Sequence, residues 1–342
     1  MEAGMRHRRV MATRTGGPEV LEVVEEEAPE PSSSEVRVRV LRAGVAFGDI
    51  MWQSGKVPGS PTPPYTPGYD LVGIVDKLGP DVEDVEAGDL VAALVRIGGY
   101  SEFAIVPLDY LVPVPAGLDP SKVICLTLNY ITAYQLFKRI AKVKPGNRVL
   151  VHGAAGGVGT AMLQLGKLIE LEMYGTASVS KHELVSSLGA TPIDYRNEDF
   201  VEQVLSLTGD GVDVVVDHIG GDHLKRSYRT LRPGGYLIST SAYASVKGDI
   251  SSFESMLGFL RLPLWNFWPN KRSAKLFDVV PFNRKNPSFF GEDLDALMGH
   301  LSRSEIDPLI AIQMPLSEAR QAQEIILNAK AQGKVVLICS EQ

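Results

Sequence analysis

Residues 149–168 constrain this chain more than any other stretch, because an apolar strand, a glycine-rich loop and a helix follow one another without a gap. A helix N-terminus carries a partial positive charge and unpaired N–H groups, so a pyrophosphate can bind there where no side chain blocks it. Gly156 and Gly157 remove side chains at the point of approach, and Gly159 allows close helix packing. Ala154 replaces the first glycine of the usual G-x-G-x-x-G pattern with a single methyl group. The stretch therefore predicts a dinucleotide site.

The pattern around this loop predicts two domains. From residue 148 onward, short apolar strands alternate with helices, which is typical of a parallel sheet with helices on both faces. Before residue 120 the chain is mostly β, as in residues 35–44, and the proline-rich residues 57–70 form a stiff loop. A chain of 342 residues exceeds one ordinary core. We expect the apolar strand 334–338 to return to the N-terminal β domain.

The composition narrows the class of protein. The net charge of −7 and the absence of a basic run in the sequence argue against nucleic-acid binding. Two cysteines, Cys125 and Cys339, are too few for a disulfide framework or a four-cysteine zinc lobe, which favours a reducing, cytoplasmic setting.

Targeting and membrane signals are weak in this sequence. The first residues lack the apolar segment of a secretory signal, and no uninterrupted apolar stretch of the sequence reaches membrane-spanning length. Residues 256–268 come closest, although Arg261 and Pro263 break the run. We interpret them as a buried helix end or a cavity lid; the alternative is a membrane-surface or partner patch.

The second strand of the alternating region indicates which dinucleotide binds. NAD sites usually place Asp or Glu at the tip of this strand to hold the ribose 2′-hydroxyl. Here residues 175–181, GTASVSK, contain no acid, while Ser178 and Lys181 offer groups that attract a 2′-phosphate. Tyr195, after the third strand, can lie against the adenosine phosphate. We therefore predict NADPH rather than NADH; the alternative is that Lys181 is a solvated lysine at a helix start.

Seven motifs spread over nearly the whole chain carry a family resemblance: RAGVAFGDI, PYTPGYDLVGIV, GGYSEF, LNYITAY, VLVHGAAGGVG, GTASVSKHE and IDYRNEDF. Together they resemble the medium-chain dehydrogenase/reductase superfamily, in its zinc-free quinone oxidoreductase branch, and are most similar to the VAT-1-like group. The resemblance implies an α/β fold with a GroES-like β domain split between residues 1–123 and 309–342. It also implies a Rossmann domain, a doubly wound parallel sheet, at 124–308, and a homodimer that pairs edge strands such as 275–282.

The resemblance also bears on the chemistry. Zinc-dependent members bind the catalytic metal through a cysteine and a histidine, and the matching positions here are Ala46 and Tyr69, neither a useful zinc ligand. A metal-independent reductase is implied, which transfers hydride from NADPH to a quinone or an α,β-unsaturated carbonyl. The alternative is an NADPH-binding VAT-1-like protein with a mainly lipid- or partner-binding role. His152, His218 and His223 have no second ligand at metal spacing and are interpreted as structural.

The resemblance finally assigns individual residues. The substrate pocket is lined by the apolar residues Ala46, Phe47, Met51 and Trp52, which suits a small hydrophobic substrate. Tyr65 and Tyr130 are candidate proton donors, with packing as the alternative role, and Asp49 is interpreted as structural. The positions assigned to the cofactor are Thr132, Ala155, Gly156, Gly157, Val158, Ser178, Lys181, Tyr195, Ile219, Phe282 and Lys334.

Overall fold

The computed structural model describes residues 5–57, 59–241, 243–267, 269 and 271–341 of the chain. The strands are β1 (Arg6–Ala12), β2 (Leu21–Glu27), β3 (Glu35–Val45), β4 (Asp70–Leu78), β5 (Leu90–Leu94), β6 (Phe103–Pro107), β7 (Leu111–Pro113), β8 (Arg148–His152), β9 (Glu172–Ala177), β10 (Ala190–Asp194), β11 (Val212–Asp217), β12 (Leu231–Ser239), β13 (Ser273–Leu276), β14 (Ile310–Pro315) and β15 (Lys334–Ile338).

The α-helices are α1 (Phe47–Gln53), α2 (Pro120–Cys125), α3 (Ile131–Gln135), α4 (Gly157–Leu168), α5 (His182–Ser187), α6 (Phe200–Thr208), α7 (His223–Arg229), α8 (Tyr243–Lys247), α9 (Ser252–Trp265), α10 (Val279–Lys285), α11 (Pro287–Ser302) and α12 (Ala319–Leu327). Short 3₁₀ turns cover Pro18–Val20, Leu108–Tyr110, Val179–Lys181 and Leu316–Glu318. Two π-helical turns cover Leu126–Tyr130 and Leu136–Ala141.

The chain divides into two compact units, residues 1–131 with 283–342 and residues 132–282. Segments 124–131 and 283–308 group with the first unit, whereas the sequence assigns them to the Rossmann domain. Helix α11 packs against the π-helical turn Leu126–Tyr130, which keeps these two segments together. The domain boundaries expected from the family resemblance stay a prediction.

The first unit contains the largely antiparallel sheet expected for the N-terminal region. Its strands follow the order β14-β15-β3-β4-β5-β7, and β6 also pairs with β3. Strand β15 pairs antiparallel with β3, which confirms that the C-terminal strand returns to the N-terminal β domain. Val36, Val38 and Val40 of β3 are fully buried in the core, as the period-two alternation predicts.

The second unit is a six-stranded parallel sheet with the order β10-β9-β8-β11-β12-β13. Numbered along the unit, this is the 3-2-1-4-5-6 order of a doubly wound Rossmann fold. The predicted fold class is therefore confirmed. The order reverses between β8 and β11, which is the point where dinucleotides bind in such sheets.

The prediction of a strand over residues 275–282 is wrong for the second half of this range. Strand β13 ends at Leu276 and helix α10 begins at Val279. The Asp278 carboxylate accepts a hydrogen bond from the Val280 N–H at 3.1 Å, an arrangement that starts a helix. Within the described residues, β13 remains the edge strand of its sheet.

Residues 256–265 belong to α9, and position 268 lies outside the described residues. One face of α9 lines an open cavity of about 660 Å³ through Phe259, Leu262 and Pro263. The opposite face exposes the apolar side chains of Phe253, Met256, Leu260 and Leu264. The face with Leu262 is therefore buried beside a cavity, while the exposed face does not fit a buried helix end; the roles of cavity lid and of membrane-surface or partner patch stay predictions. No helix among the described residues is both long and apolar enough to cross a membrane.

Candidate functional site

The glycine loop of the second unit connects β8 to α4, as the sequence predicts. Gly156 is the N-cap residue and no side chain caps the helix, so the first-turn N–H groups face no competing side-chain acceptor. A Cβ on Gly159 would lie 2.4 Å from the Gly153 carbonyl oxygen, which only glycine avoids. Ala154 is fully buried, and its methyl group packs toward Gly175 of β9. The loop therefore tolerates alanine at this position and keeps the geometry of a phosphate cradle.

A buried hydrogen-bond chain supports this loop from below. The Thr176 hydroxyl accepts from the Gly153 N–H at 3.3 Å and lies 3.1 Å from His152 Nδ1. His152 Nε2 lies 3.0 Å from the Ser227 hydroxyl, which donates to Asp217 Oδ2 at 2.6 Å. Burial lowers the pKa of His152 well below its usual value, so its ring is neutral at physiological pH.

The buried hydrogen-bond chain ends at the turn that follows β11. Asp217 Oδ1 accepts hydrogen bonds from the N–H groups of Ile219 (2.8 Å) and Gly220 (3.0 Å). Burial opposes the charge of Asp217, but His223 at 2.8 Å and its other partners lower the pKa of this carboxyl below the ordinary value. One network thus fixes both the phosphate loop and the turn of Ile219, a predicted cofactor residue.

The expectation that His152 and His223 lack a second ligand at metal spacing holds along the sequence but is wrong for the folded structure. One ligand atom each of His152, Asp217 and His223 lies within 4.8 Å of the others, so this group could hold a metal ion. The sequence hides the cluster because its members come from β8, β11 and α7. The Ser227 hydroxyl lies within hydrogen-bond distance of all three side chains, at 2.6 to 3.4 Å, and already satisfies them as a polar network.

The adenosine end of the predicted cofactor site lies beyond β9 and β10. Ser178 follows β9 directly, Lys181 ends the next 3₁₀ turn, and Tyr195 is half exposed after β10. Burial, followed by the charge of Arg196, lowers the pKa of Lys181. The sequence analysis did not predict a role for Arg196, although its position directly after Tyr195 could have indicated one. Lys181 and Arg196 bring two cations to this region, and the carboxylate of Asp194, which pairs with Ala177 at the end of β9, accepts hydrogen bonds from the Arg196 N–H and the Asn197 side chain.

The remaining cofactor candidates occupy varied environments. Thr132 is nearly buried in α3, and the Phe282 ring lies 5.3 Å from that of Phe277. Lys334 is buried in the first unit, where its ammonium lies 2.8 Å from Asp70 Oδ2. That ion pair gives Lys334 a structural partner, and its position offers no support for a cofactor role.

The pocket candidates of the first unit surround the N-terminus of α1. Asp49 Oδ2 accepts from the Ala46 N–H and the Tyr100 hydroxyl, both at 2.8 Å, and Oδ1 accepts from the Gly68 N–H at 3.1 Å. Burial raises the pKa of Asp49 to about 7. This carboxyl fixes the two loops that carry Ala46 and Tyr69, which fits the structural role expected for it.

Trp52 and Tyr69 form the aromatic wall of the same region. Both side chains are buried, and the Trp52 Nε1–H donates to the Tyr69 hydroxyl. The guanidinium of Arg96 lies over the Trp52 ring, 3.8 Å from its centroid. Phe47 and Met51 are partly exposed beside this wall. Arg96 is a second residue that sequence reasoning missed, because only the fold brings it to Trp52.

Tyr65 and Tyr130 share an unusual feature. Each hydroxyl is buried and has no hydrogen-bond partner among the described residues. Burial raises the pKa of Tyr65 to about 12 and that of Tyr130 further still, so both hydroxyls keep their protons. Buried unpaired hydroxyls are costly, and each is available to a ligand that reaches it.

Comparison with known proteins identifies families and relatives that share this architecture. The family model described as "Zinc-binding dehydrogenase" matches residues 188–337, and "Alcohol dehydrogenase GroES-like domain" matches residues 32–116. The "Synaptic vesicle membrane protein VAT-1 homolog" of Danio rerio is 38% identical over 345 residues, which cover 97% of this chain and 70% of that protein.

Two solved structures share the fold across both units. The Escherichia coli quinone oxidoreductase complexed with NADPH has a TM-score of 0.86 at 28% identity, covering 97% of this chain and 99% of that one. The CurK enoyl reductase has a TM-score of 0.81 at 26% identity, with the same coverage.

Proposed function

This chain belongs to the medium-chain dehydrogenase/reductase superfamily, in the branch of VAT-1 homologues and quinone oxidoreductases, and we propose that it is an NADPH-dependent reductase of quinones or α,β-unsaturated carbonyls. The observation that carries the proposal is the phosphate cradle at the switch point of a doubly wound sheet, with the cations Lys181 and Arg196 after the neighbouring strands β9 and β10. NADPH, when bound, supplies the hydride.

The fit of the dinucleotide rests on the residues present. The first-turn N–H groups of α4 would hold the pyrophosphate, and Gly159 keeps the loop close to the helix. Ser178, Lys181 and Arg196 would hold a 2′-phosphate, since hydroxyl and cationic groups bind phosphate oxygens. The Asp217 network would keep Ile219 in place near the reacting end of the cofactor.

The substrate pocket would be apolar with few polar groups. Phe47, Met51 and Trp52 would exclude water and position a hydrophobic substrate. The Tyr65 or Tyr130 hydroxyl would donate a hydrogen bond to the substrate carbonyl, because each keeps its proton and lacks a partner among the described residues. After hydride transfer the same hydroxyl could pass its proton to the reduced substrate, with water restoring it.

Metal independence is supported by the chemistry of two side chains. Ala46 has no donor atom, and the Tyr69 hydroxyl accepts the Trp52 Nε1–H. A Cβ on Gly48 would come within 2.9 Å of the Tyr69 ring, so this ring fills the space beside α1. A zinc ion of the kind held by cysteine and histidine in related dehydrogenases has no ligand at these positions.

The test is NADPH oxidation with a panel of quinones and enones, with and without a chelator. We expect turnover of at least one neutral enone or quinone, much slower turnover with NADH, and no effect of chelation. Tight NADPH binding without turnover of any panel member would contradict the reductase assignment. Loss of activity on chelation, restored by zinc, would contradict metal independence.

A second candidate function is lipid or partner binding with little catalysis. The exposed apolar stripe of α9 supports it, because Phe253, Met256, Leu260 and Leu264 follow a helical spacing of three and four residues. The exposed Lys271 and Lys275 follow this helix and would favour anionic lipid headgroups. Flotation with anionic liposomes tests it, with Leu260→Ser as the variant expected to lose binding. A cytoplasmic location and a homodimer remain predictions.

A further inference from the structure

Arg96 occupies a strained position at the edge of the aromatic wall. It follows β5 with a backbone φ of +76°, in the left-handed region that side-chain-bearing residues rarely adopt. The Tyr69 carbonyl accepts hydrogen bonds from the N–H groups of Val95 (2.8 Å) and Arg96 (3.0 Å). The backbone thus holds this conformation firmly, which is a common feature of ligand-binding positions.

The guanidinium of Arg96 lacks the partners that an arginine usually has. It lies on the Trp52 ring at 3.8 Å, and Nη2 makes one long hydrogen bond of 3.4 Å to the Gly59 carbonyl. Nε is buried and unpartnered, and no carboxylate among the described residues lies within ion-pair distance. By contrast, Arg37 pairs with both Glu30 and Asp76. Most of the donor groups of Arg96 therefore have no protein partner among the described residues.

Two neighbours of Arg96, Trp52 and Gly59, indicate what its remaining donor groups lie beside. Trp52 is a predicted pocket residue, and its own N–H is already used by Tyr69. Gly59 belongs to the proline-rich loop of residues 57–70, so the guanidinium of Arg96 lies between this loop and Trp52. A planar guanidinium held against an indole loses little freedom on binding and presents paired donors to a planar or tetrahedral anion.

We propose that Arg96, stacked on Trp52, is an anion-recognition subsite, and that the hydrophobic ligand of this pocket carries a carboxylate or phosphate group. This inference rests on the proposed function, because it assigns the apolar pocket to a substrate. It deepens that function by predicting an amphiphilic, acidic substrate class. The same anion could belong to a free metabolite or to a single-chain lipid.

The alternative role for Arg96 is a clamp that fastens the proline-rich loop onto Trp52. The two roles predict different responses to ligand charge. A clamp acts on the shape of the pocket, so its loss changes acidic and neutral ligands alike. A subsite acts on the ligand anion, so its loss changes the acidic ligand alone.

The test compares matched ligands on the full-length protein. Affinity is measured by calorimetry for a long-chain carboxylate and its methyl ester, for lysophosphatidic acid, and for inorganic phosphate. Turnover is measured in parallel for an enone with a terminal carboxylate and for its ester. The variants are Arg96→Gln and Arg96→Lys; Arg320→Gln, an exposed arginine of the same unit, is the control for net charge.

The wild type should bind the acid at least about tenfold more tightly than the ester, because hydrogen bonds to charged groups are the strong ones. Arg96→Gln should abolish that preference and leave the ester unchanged, Arg96→Lys should keep part of it, and Arg320→Gln should keep it fully. Tighter binding of lysophosphatidic acid than of the long-chain carboxylate would identify a phosphate-bearing lipid source, and the reverse would identify a free carboxylate. Tighter binding of inorganic phosphate than of either would overturn the amphiphilic substrate class.

Equal affinity of the wild type for acid and ester would overturn the subsite, as would a preference that survives in Arg96→Gln. These outcomes are separable from failure of the reductase assignment. Turnover of the ester without an acid preference leaves the reductase standing and removes the subsite. A charge-dependent binding preference without any turnover supports the subsite and contradicts the reductase assignment. If Arg96→Gln fails to fold, the wild-type preference and Arg96→Lys still decide the question.

Discussion

The Lys334 ammonium lies 2.8 Å from Asp70 Oδ2, and both side chains are buried inside the first unit. Lys334 begins β15 and Asp70 begins β4, with β3 between them. A Cβ on Gly44 of β3 would come within 2.3 Å of the ammonium, so the pair uses the space that this glycine leaves. The pair therefore joins the end of the chain to its N-terminal sheet.

Removal of one partner should destabilise the first unit strongly. Lys334→Met leaves the Asp70 carboxylate buried without its cation, which typically costs about 3–5 kcal/mol. The double variant Lys334→Met/Asp70→Leu should recover much of that loss, because neither charge then remains. Denaturant unfolding of each variant provides the measurement, with the exposed Lys330→Met as control. A single variant as stable as the wild type would refute this role for the pair.

Lys181 should set the preference for NADPH over NADH. Lys181→Glu places a negative charge beside the 2′-phosphate and should weaken NADPH binding about tenfold or more, while NADH binding changes little. Affinities of both cofactors are measured by fluorescence titration. Lys167→Glu, an exposed lysine in the last turn of α4, is the charge-matched control. Equal loss for the two cofactors would remove Lys181 from the site.

Gly159 should be intolerant of even a methyl group. The Cβ of Gly159→Ala would meet two carbonyl oxygens of the loop at 2.4 and 2.6 Å, so the loop must shift and NADPH affinity should fall. Gly291→Ala is the matched control, because a Cβ there meets nothing within 4 Å inside α11. It should raise stability by about 0.5–1 kcal/mol and leave cofactor binding unchanged. Wild-type NADPH affinity in Gly159→Ala would contradict the cradle.

Asp49 should make stability depend on pH. Burial raises its pKa from 3.8 to about 7 in the folded state, so the folded protein binds this proton more tightly than the unfolded chain. Its contribution is fully present below pH 3.8 and is lost as the pH rises to about 7, with a slope of at most about 1.4 kcal/mol per pH unit. The unfolding free energy of wild type minus that of Asp49→Asn should fall across this window. A flat difference would show that folding does not shift the pKa of Asp49.

The alternation of strands and helices along the second unit was predictable because each strand, loop and helix is encoded locally. The glycine loop and the acid-free β9 tip are also short stretches, so their place in the fold follows from the pattern. Contacts between distant segments were not predictable. His152 and His223 meet only because β8 and α7 converge, and Arg96 reaches Trp52 through a left-handed turn.

In residues 275–282, two local sequence signals favour different secondary structures. Residues 275–282 are mostly apolar, which favours a strand, but Asp278 caps a helix that begins at Val279. The cap prevails because it satisfies a first-turn N–H that a strand at this edge would leave without a partner. The exposed stripe of α9 likewise needed the structure, since an apolar run alone does not reveal which face is buried.

The most direct test of the account is the fate of the cofactor hydride. The purified protein is incubated with a neutral enone and with NADPH carrying deuterium at both C4 positions of the dihydronicotinamide, and the product is analysed by mass spectrometry and NMR. We expect one deuterium on the β-carbon of the reduced enone for each NADPH consumed, with metal chelated throughout. Tight NADPH binding with no deuterium in any enone product, and with no NADPH consumed by any quinone, would contradict the central claim that this chain is a reductase.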